Sequence, residues 1–224
     1  GHDVAGSITR AEVREKASLP KGQGPGRLPR MATEQHRDDL LRCLECRLPH
    51  EQCMCELIRA APCALEMVVL RHHLETHRAS NTGRIVARSL AGAKLASYAA
   101  PDHALNRGLF DGPNTWILYP SPNARVPDVA PERLVVLDAT WPQARKMYQR
   151  IPELRRLPAL ALPPPNQALP RMRKTQRPEQ MSTAEACIAA LRVLGDSSAA
   201  DHLESTLREA VRRFALPKRK GPSR

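Results

Sequence analysis

A chain of 224 residues is long enough for one domain with appendages, and with only 3% aromatics its core must be built mainly from Leu, Val, Ile and Ala. The formal net charge of +12 favours a polyanionic partner, with nucleic acid ahead of a membrane surface. No run of about 18 apolar residues is present to span a bilayer, and no basic segment followed by an apolar one marks secretion, so the expectation is a cytoplasmic protein without a membrane partner.

Residues 1–36 alternate charges with Gly and Pro, as in Lys21-Gly22-Gln23-Gly24-Pro25-Gly26, and predict a disordered tail. Residues 37–62 hold four of the six cysteines: Cys43, Cys46, Cys53 and Cys55. A Cys-x-x-Cys pair lets two thiolates approach one cation from a single turn, and a second close pair completes a tetrahedral shell. This is read as a zinc knuckle, structural because four cysteines leave no open coordination position. Redox-active or unligated thiols are the alternatives, and His50 is a substitute ligand.

Leu65–Leu70 predicts the first strand. The segment Arg71–Arg84 then falls at the carboxyl edge of a sheet, where open α/β folds bind ligands. His72, Arg78, Asn81 and Arg84 are candidate substrate or phosphate contacts, with solvated capping or a second metal at His73 and His77 as alternatives. Residues 81–98 read as one helix, capped by Asn81 or Thr82, with Ile85, Val86, Leu90 and Leu95 on roughly one face.

Residues 114–120 predict a second strand and Arg133–Asp138 a third. The third stops on Asp138-Ala139-Thr140-Trp141-Pro142, a carboxylate, a hydroxyl and an indole at a strand end. Pro142 bars strand continuation yet suits the first turn of a helix. The cluster is either a ligand site or a helix cap supplied by Asp138 or Thr140. A helix over 142–150 follows, then a short strand over 158–162 that enters Pro163-Pro164-Pro165.

The run Arg171–Arg177 carries four cations, Arg171, Arg173, Lys174 and Arg177, and no acid. It is read as phosphate contacts, with a solvated face as the alternative. Helices follow over about 179–194 and 199–214, the first opened by Ser182 and Glu185 at capping-box spacing. Residues 217–224 predict a basic disordered tail. Strands alternating with helices predict an α/β fold with a mostly parallel sheet and helices on both faces.

Four motifs in order, the knuckle, Asn81-Thr82-Gly83-Arg84, Asp138-Ala139-Thr140-Trp141 and Met181-Ser182-Thr183-Ala184-Glu185-Ala186, resemble the DTW-domain family over about residues 40–215. The resemblance implies a tRNA-uridine aminocarboxypropyltransferase with S-adenosylmethionine as co-substrate. Its activity would move the 3-amino-3-carboxypropyl group to N3 of a loop uridine in tRNA, with the variable loop expected, and release methylthioadenosine. It also implies a SPOUT-like catalytic domain over 63–216 with a C-terminal trefoil knot. By that analogy the cofactor is lined by Leu118, Tyr119, Pro120 and Ser121, by Asp138, Thr140 and Trp141, by Leu160 and Leu162, and by Ser182, Thr183 and Glu185. The cations Arg171, Arg173, Lys174 and Arg177 would hold tRNA, as RNA-binding partners of His72, Arg78, Asn81 and Arg84.

Asp138 is then the candidate catalytic residue, as a base for the N3 proton or as an orienting group. Trp141 would wall the cofactor or simply pack in the core. His73 stands where relatives are expected to carry proline. A monomer is expected, with dimers known among SPOUT relatives. The competing readings are a SPOUT-type S-adenosylmethionine-dependent RNA methyltransferase and a non-catalytic zinc-knuckle RNA-binding protein.

Overall fold

A computed structural model describes residues 40–101, 103–173 and 177–217. The tail expected at 1–36, the tail expected at 217–224 apart from Pro217, and Lys174 lie outside the described residues. Four parallel strands form one sheet: β1 (Glu66–His72), β2 (Lys94–Tyr98), β3 (Thr115–Leu118) and β4 (Arg133–Asp138), in the order β2-β1-β4-β3. Met67–Leu70 and Leu134–Val136 are continuous apolar runs because both sheet faces are covered, as parallel sheets require. Register places Val68 opposite Val135 and Arg71 opposite Asp138, so both central strands end at one level.

The strand period of two divides the core. Met67, Val69, Leu134 and Val136 face α1 (Gly83–Ser89), α4 (Thr183–Val193) and α5 (Ser197–Phe214). Val68, Leu70, Ile117 and Val135 face α2 (Trp141–Arg150) and α3 (Pro152–Arg156). The expected α/β class with helices on both faces is therefore what the chain builds.

Three sequence expectations need correction. The helix read over 81–98 is two elements: α1 ends at Ser89, Gly92 turns the chain at φ +77°, and Lys94–Tyr98 is an edge strand. Leu95 does not extend the α1 stripe but pairs across the sheet with Val69. The strand read over 158–162 is reduced to bridges, with Leu160 N–H donating to the Ile117 carbonyl and Ala161 N–H to the Arg125 carbonyl, both at 3.0 Å. Prolines at 158 and 163–165 remove the donors a longer ladder needs. The short helix α3 was not foreseen, and the helices expected from 179 and 199 begin at Thr183 and Ser197.

The cysteine segment is built into the main core rather than hung from it. Cys46, Leu48, Met54 and Ile58 join the apolar cluster beneath α1, α4 and α5. Burying Leu48 and Met54 contributes about 2 kcal/mol each. Arg213 near the end of α5 donates to the Cys53 carbonyl, and Gln52 Nε2 donates to the Leu216 carbonyl at 3.1 Å.

Candidate functional site

The carboxyl ends of β1, β3 and β4 open into a cavity of about 1020 Å³. It is lined by Leu118–Ser121 after β3, by Asp138–Pro142 after β4, by Leu160–Pro165, and by Met181–Thr183 with Glu185 at the start of α4. Every residue that the resemblance assigns to the cofactor lies on this wall. Four segments distant in sequence meet here because parallel strands deliver all their carboxyl ends to one edge.

Asp138 sits at the base of the cavity, 3% exposed. Its Oδ2 accepts from Asn81 Nδ2 at 2.6 Å and its Oδ1 from the Thr183 hydroxyl at 2.8 Å. The Asn81 Oδ1 in turn accepts from Arg84 N–H at 3.2 Å, and the Thr82 hydroxyl oxygen accepts from Ala184 N–H at 3.2 Å. The carboxylate packs so closely on Gly83 that a Cβ there would lie 2.3 Å from it. The Asn81-Thr82-Gly83-Arg84, Asp138 and Ser182–Glu185 motifs are thus one hydrogen-bonded unit joining two helix starts to one strand end.

Burial pushes the Asp138 carboxyl above its ordinary value, against the opposing hydrogen bonds from Asn81 and Thr183 and the Arg71 charge. The cap reading of Asp138 gives way to Thr140, whose N–H and hydroxyl both donate to Gln143 Oε1 at 2.8 Å in a capping box. Trp141 opens α2 at 41% exposure on the cavity wall, so it is not a core residue. Tyr119 also lines the cavity and stacks on Tyr148 at a centroid distance of 4.0 Å.

The expected RNA contacts separate into two groups. Asn81 and Arg84 do not face solvent. Arg84 is 5% exposed, donates to the Thr76 carbonyl at 2.6 Å, and is lowered to about 10 by burial and by the charges of Arg71 and Arg47. Arg171 donates to Glu185 at 2.8 Å and Arg173 to Glu75 at 2.9 Å, while Arg78 pairs with Glu75 at 3.0 Å. Glu75, 1% exposed, is the anchor that the sequence reading passed over, although it is the single acid between Arg71 and Arg84. His72 is half-buried at the end of β1, where its Nδ1 accepts from Leu74 N–H at 3.3 Å. His73 opens the short turn His73–Glu75 at the position expected for proline. Arg177 remains open, 74% exposed and 4.0 Å from Glu179.

The four knuckle thiols all lie within 4.8 Å of one another, with Cys43 and Cys55 3.6 Å apart and Cys46 and Cys53 3.8 Å apart. Tetrahedral zinc with Zn–S of about 2.3 Å sets its sulfurs about 3.8 Å apart. The first pair is closed by a tight turn in which Arg47 takes a φ of +61° and its N–H donates to the Cys43 carbonyl at 2.8 Å. Four thiols this close cannot all ionise unaided. Burial and the neighbouring thiols push Cys55 up, whereas at Cys43 burial is outweighed by the backbone N–H groups of Cys46 and Glu45 together with the Cys53 and Cys55 thiols, which bring the thiol down to about 7. The cluster can hold one metal ion. Among the described residues His50, His73 and His77 form no such grouping, and no helix is long and apolar enough to cross a membrane.

The DTW domain profile matches residues 40–215. The tRNA-uridine aminocarboxypropyltransferase 2 of Drosophila melanogaster is 32% identical to this chain over 130 residues, covering 52% of the chain and 51% of the relative. The chain therefore spans about half the length of that curated relative. No solved structure matches. Matched over most of its length, with all four motifs gathered at one strand edge and one cysteine cluster, the chain belongs to the DTW-domain family.

Proposed function

We propose that this protein transfers the 3-amino-3-carboxypropyl group of S-adenosylmethionine to N3 of an exposed loop uridine in tRNA, with a structural zinc ion in its cysteine cluster. The observation that carries the reading is the convergence of four separated segments on one cavity with a buried carboxylate at its base. The curated relative's name supports the reaction class. A cavity of about 1020 Å³ is at the upper end of small-ligand sites, which run to roughly 1,000 Å³, and leaves room for a cofactor beside an extruded base.

S-adenosylmethionine supplies, when bound, an electrophilic γ-methylene whose attack by uridine N3 releases methylthioadenosine. The chain's own task is placement and proton handling. Leu118, Leu160, Leu162 and the prolines at 163–165 give the cavity an apolar wall, and backbone groups of those loops would read adenine. Trp141 offers an aromatic face to a cationic ligand at the mouth. Asp138 takes the N3 proton on a lone pair left over from its bonds to Asn81 and Thr183, since a carboxylate has about four acceptor sites and uses two here. Its carboxyl is raised by burial, the direction that suits a base working near neutral pH. The edge where the 118–121, 138–142 and 160–165 loops line one cavity is where a SPOUT-type knot would lie.

The test is product identification. Protein, S-adenosylmethionine and unmodified tRNA are expected to yield methylthioadenosine and a tRNA heavier by one aminocarboxypropyl group, as read by mass spectrometry. S-adenosylhomocysteine in its place would assign a methyltransferase, and neither product would leave the family fold with a binding role.

A further inference from the structure

The basic run at 171–177, the obvious polyanion site in the sequence, spends Arg171 and Arg173 on the buried acids Glu185 and Glu75. The same sorting applies to α5, where Arg192, Arg208 and Arg212 are each paired with an acid. On α2 and α3 the outcome is different. Arg145, Lys146, Arg150, Arg155 and Arg156 are all exposed, and among the described residues none of the five makes an ion pair. The one acid of these helices, Glu153, is held by Arg107 at 2.7 Å. Lys146 and Arg150 stand one helical turn apart, so their charges repel along the helix unless an anion lies against them.

This face adjoins the cavity. Trp141 begins α2 on the cavity wall, and Arg145 lies beside the Tyr119 hydroxyl, another wall residue. The apolar side of both helices, Met147, Ile151 and Leu154, is buried against the sheet, so the ridge presents no apolar stripe of the kind an interfacial helix lays in a bilayer. The one aromatic among these cations, Tyr148, is half-buried and already stacked on Tyr119, so the row of exposed guanidinium and ammonium groups suits a phosphate backbone rather than stacked bases.

We propose that the exposed cations of α2 and α3 are the main docking surface for the phosphates of the tRNA whose uridine enters the cavity, ahead of the 171–177 run. The proposal rests on the tRNA reading above and names the surface that reading leaves open. Binding of tRNA without cofactor, followed by fluorescence anisotropy across a salt series, isolates docking from transfer. Arg150→Gln, Arg155→Gln and Arg156→Gln together are expected to weaken binding about tenfold or more at roughly 0.1 M salt and to lower the slope of log affinity against log salt by about 2–3. In turnover the same triple variant is expected to raise KM for tRNA and keep kcat at saturation. The matched control replaces Arg192, Arg208 and Arg212 by Gln on the opposite sheet face and is expected to keep the wild-type salt slope.

Unchanged affinity and slope in the α2–α3 variant would overturn the docking surface while methylthioadenosine release left the transfer reading intact. An equal loss in the control would overturn it too, by assigning binding to net charge. Wild-type protein that binds phosphatidylserine vesicles in preference to tRNA would overturn both the surface and the tRNA reading. All six positions are exposed or half-exposed, so the circular dichroism of both variants is expected to match the wild type.

Discussion

Asp138 carries a desolvation cost that Asn81 and Thr183 offset only in part, since burial still leaves its carboxyl above the ordinary value. A carboxyl that ionises at higher pH in the folded chain than in the unfolded one contributes stability below the unfolded value of 3.8, and that contribution is lost as pH rises through the folded value. Asp138→Asn keeps the shape and removes the charge. It is expected to melt at or above the wild type at pH 8, with the gap closing toward pH 4, and to slow transfer by about 10²–10⁴. A variant that melts lower at every pH and retains full turnover would make Asp138 a purely structural joint. Trp141 makes the complementary case, because its exposed ring contributes little to the core. Trp141→Ala should leave the melting temperature within about 0.5 kcal/mol of wild-type stability, while cofactor affinity by calorimetry falls roughly fivefold, the loss of about 1 kcal/mol of cation–π attraction. The reverse pattern would return Trp141 to core packing.

Among the elements, α5 does the most joining. Its inner side, Ala199, Ala200, Leu203, Leu207 and Ala210, is fully buried against the same cluster that receives Leu48 and Met54 from the cysteine segment. Near its end, Glu209 accepts from Arg212 and Arg213, and these bonds bring its carboxyl down to about 2. Arg213 is thereby aimed at the Cys53 carbonyl, beside a thiol of the cluster that could hold a metal ion. Partners of this kind orient ligands without touching the ion, and losing one typically costs about 10–100-fold in metal affinity. Arg213→Ala is expected to release zinc to a colorimetric chelator at least tenfold more readily with the far-ultraviolet spectrum unchanged. Equal retention would mean that the cluster is held by its own turns alone. On α2, Lys146 and Arg150 one turn apart cost about 0.2–0.5 kcal/mol by repulsion, a small penalty that fits a surface kept for an anion.

At the scale of the molecule, the cysteine cluster and the sheet share one core, so metal loss is expected to be felt beyond the knuckle. Calorimetry of the zinc-loaded protein should show a single cooperative transition, and chelation should lower it as a unit, because binding energy to a folded site is folding energy. Two separate transitions would show that residues 40–62 unfold independently. The charge of +12 is likewise distributed rather than uniform. On α5 the cations Arg208 and Arg212 are matched by acids, whereas on α2 and α3 five exposed cations face one acid that Arg107 already holds, so attraction to a polyanion acts with a direction.

Local chemistry was legible in the chain: the Cys-x-x-Cys spacing, the strand that ends at Asp138, the capping residues Ser182 and Glu185, and the parallel alternation of elements all depend on neighbours within a few positions. The residues of the cavity wall were legible through family resemblance, since strand ends of a parallel sheet converge by construction of the fold. Three matters were settled only by the tertiary structure. Residues 94–98 became a strand because β1 offered an open edge, which outweighed an apolar period compatible with helix. Asn81, Thr183 and Asp138 met as one unit although 57 and 45 positions separate the pairs. Arg173 found Glu75 from 98 positions away, whereas the one acid of α2 and α3, Glu153, is taken by Arg107 and none of their five exposed cations closes an ion pair among the described residues. A sequence states how much charge a segment carries, but only packing decides which charges are answered inside the protein and which are left for a partner.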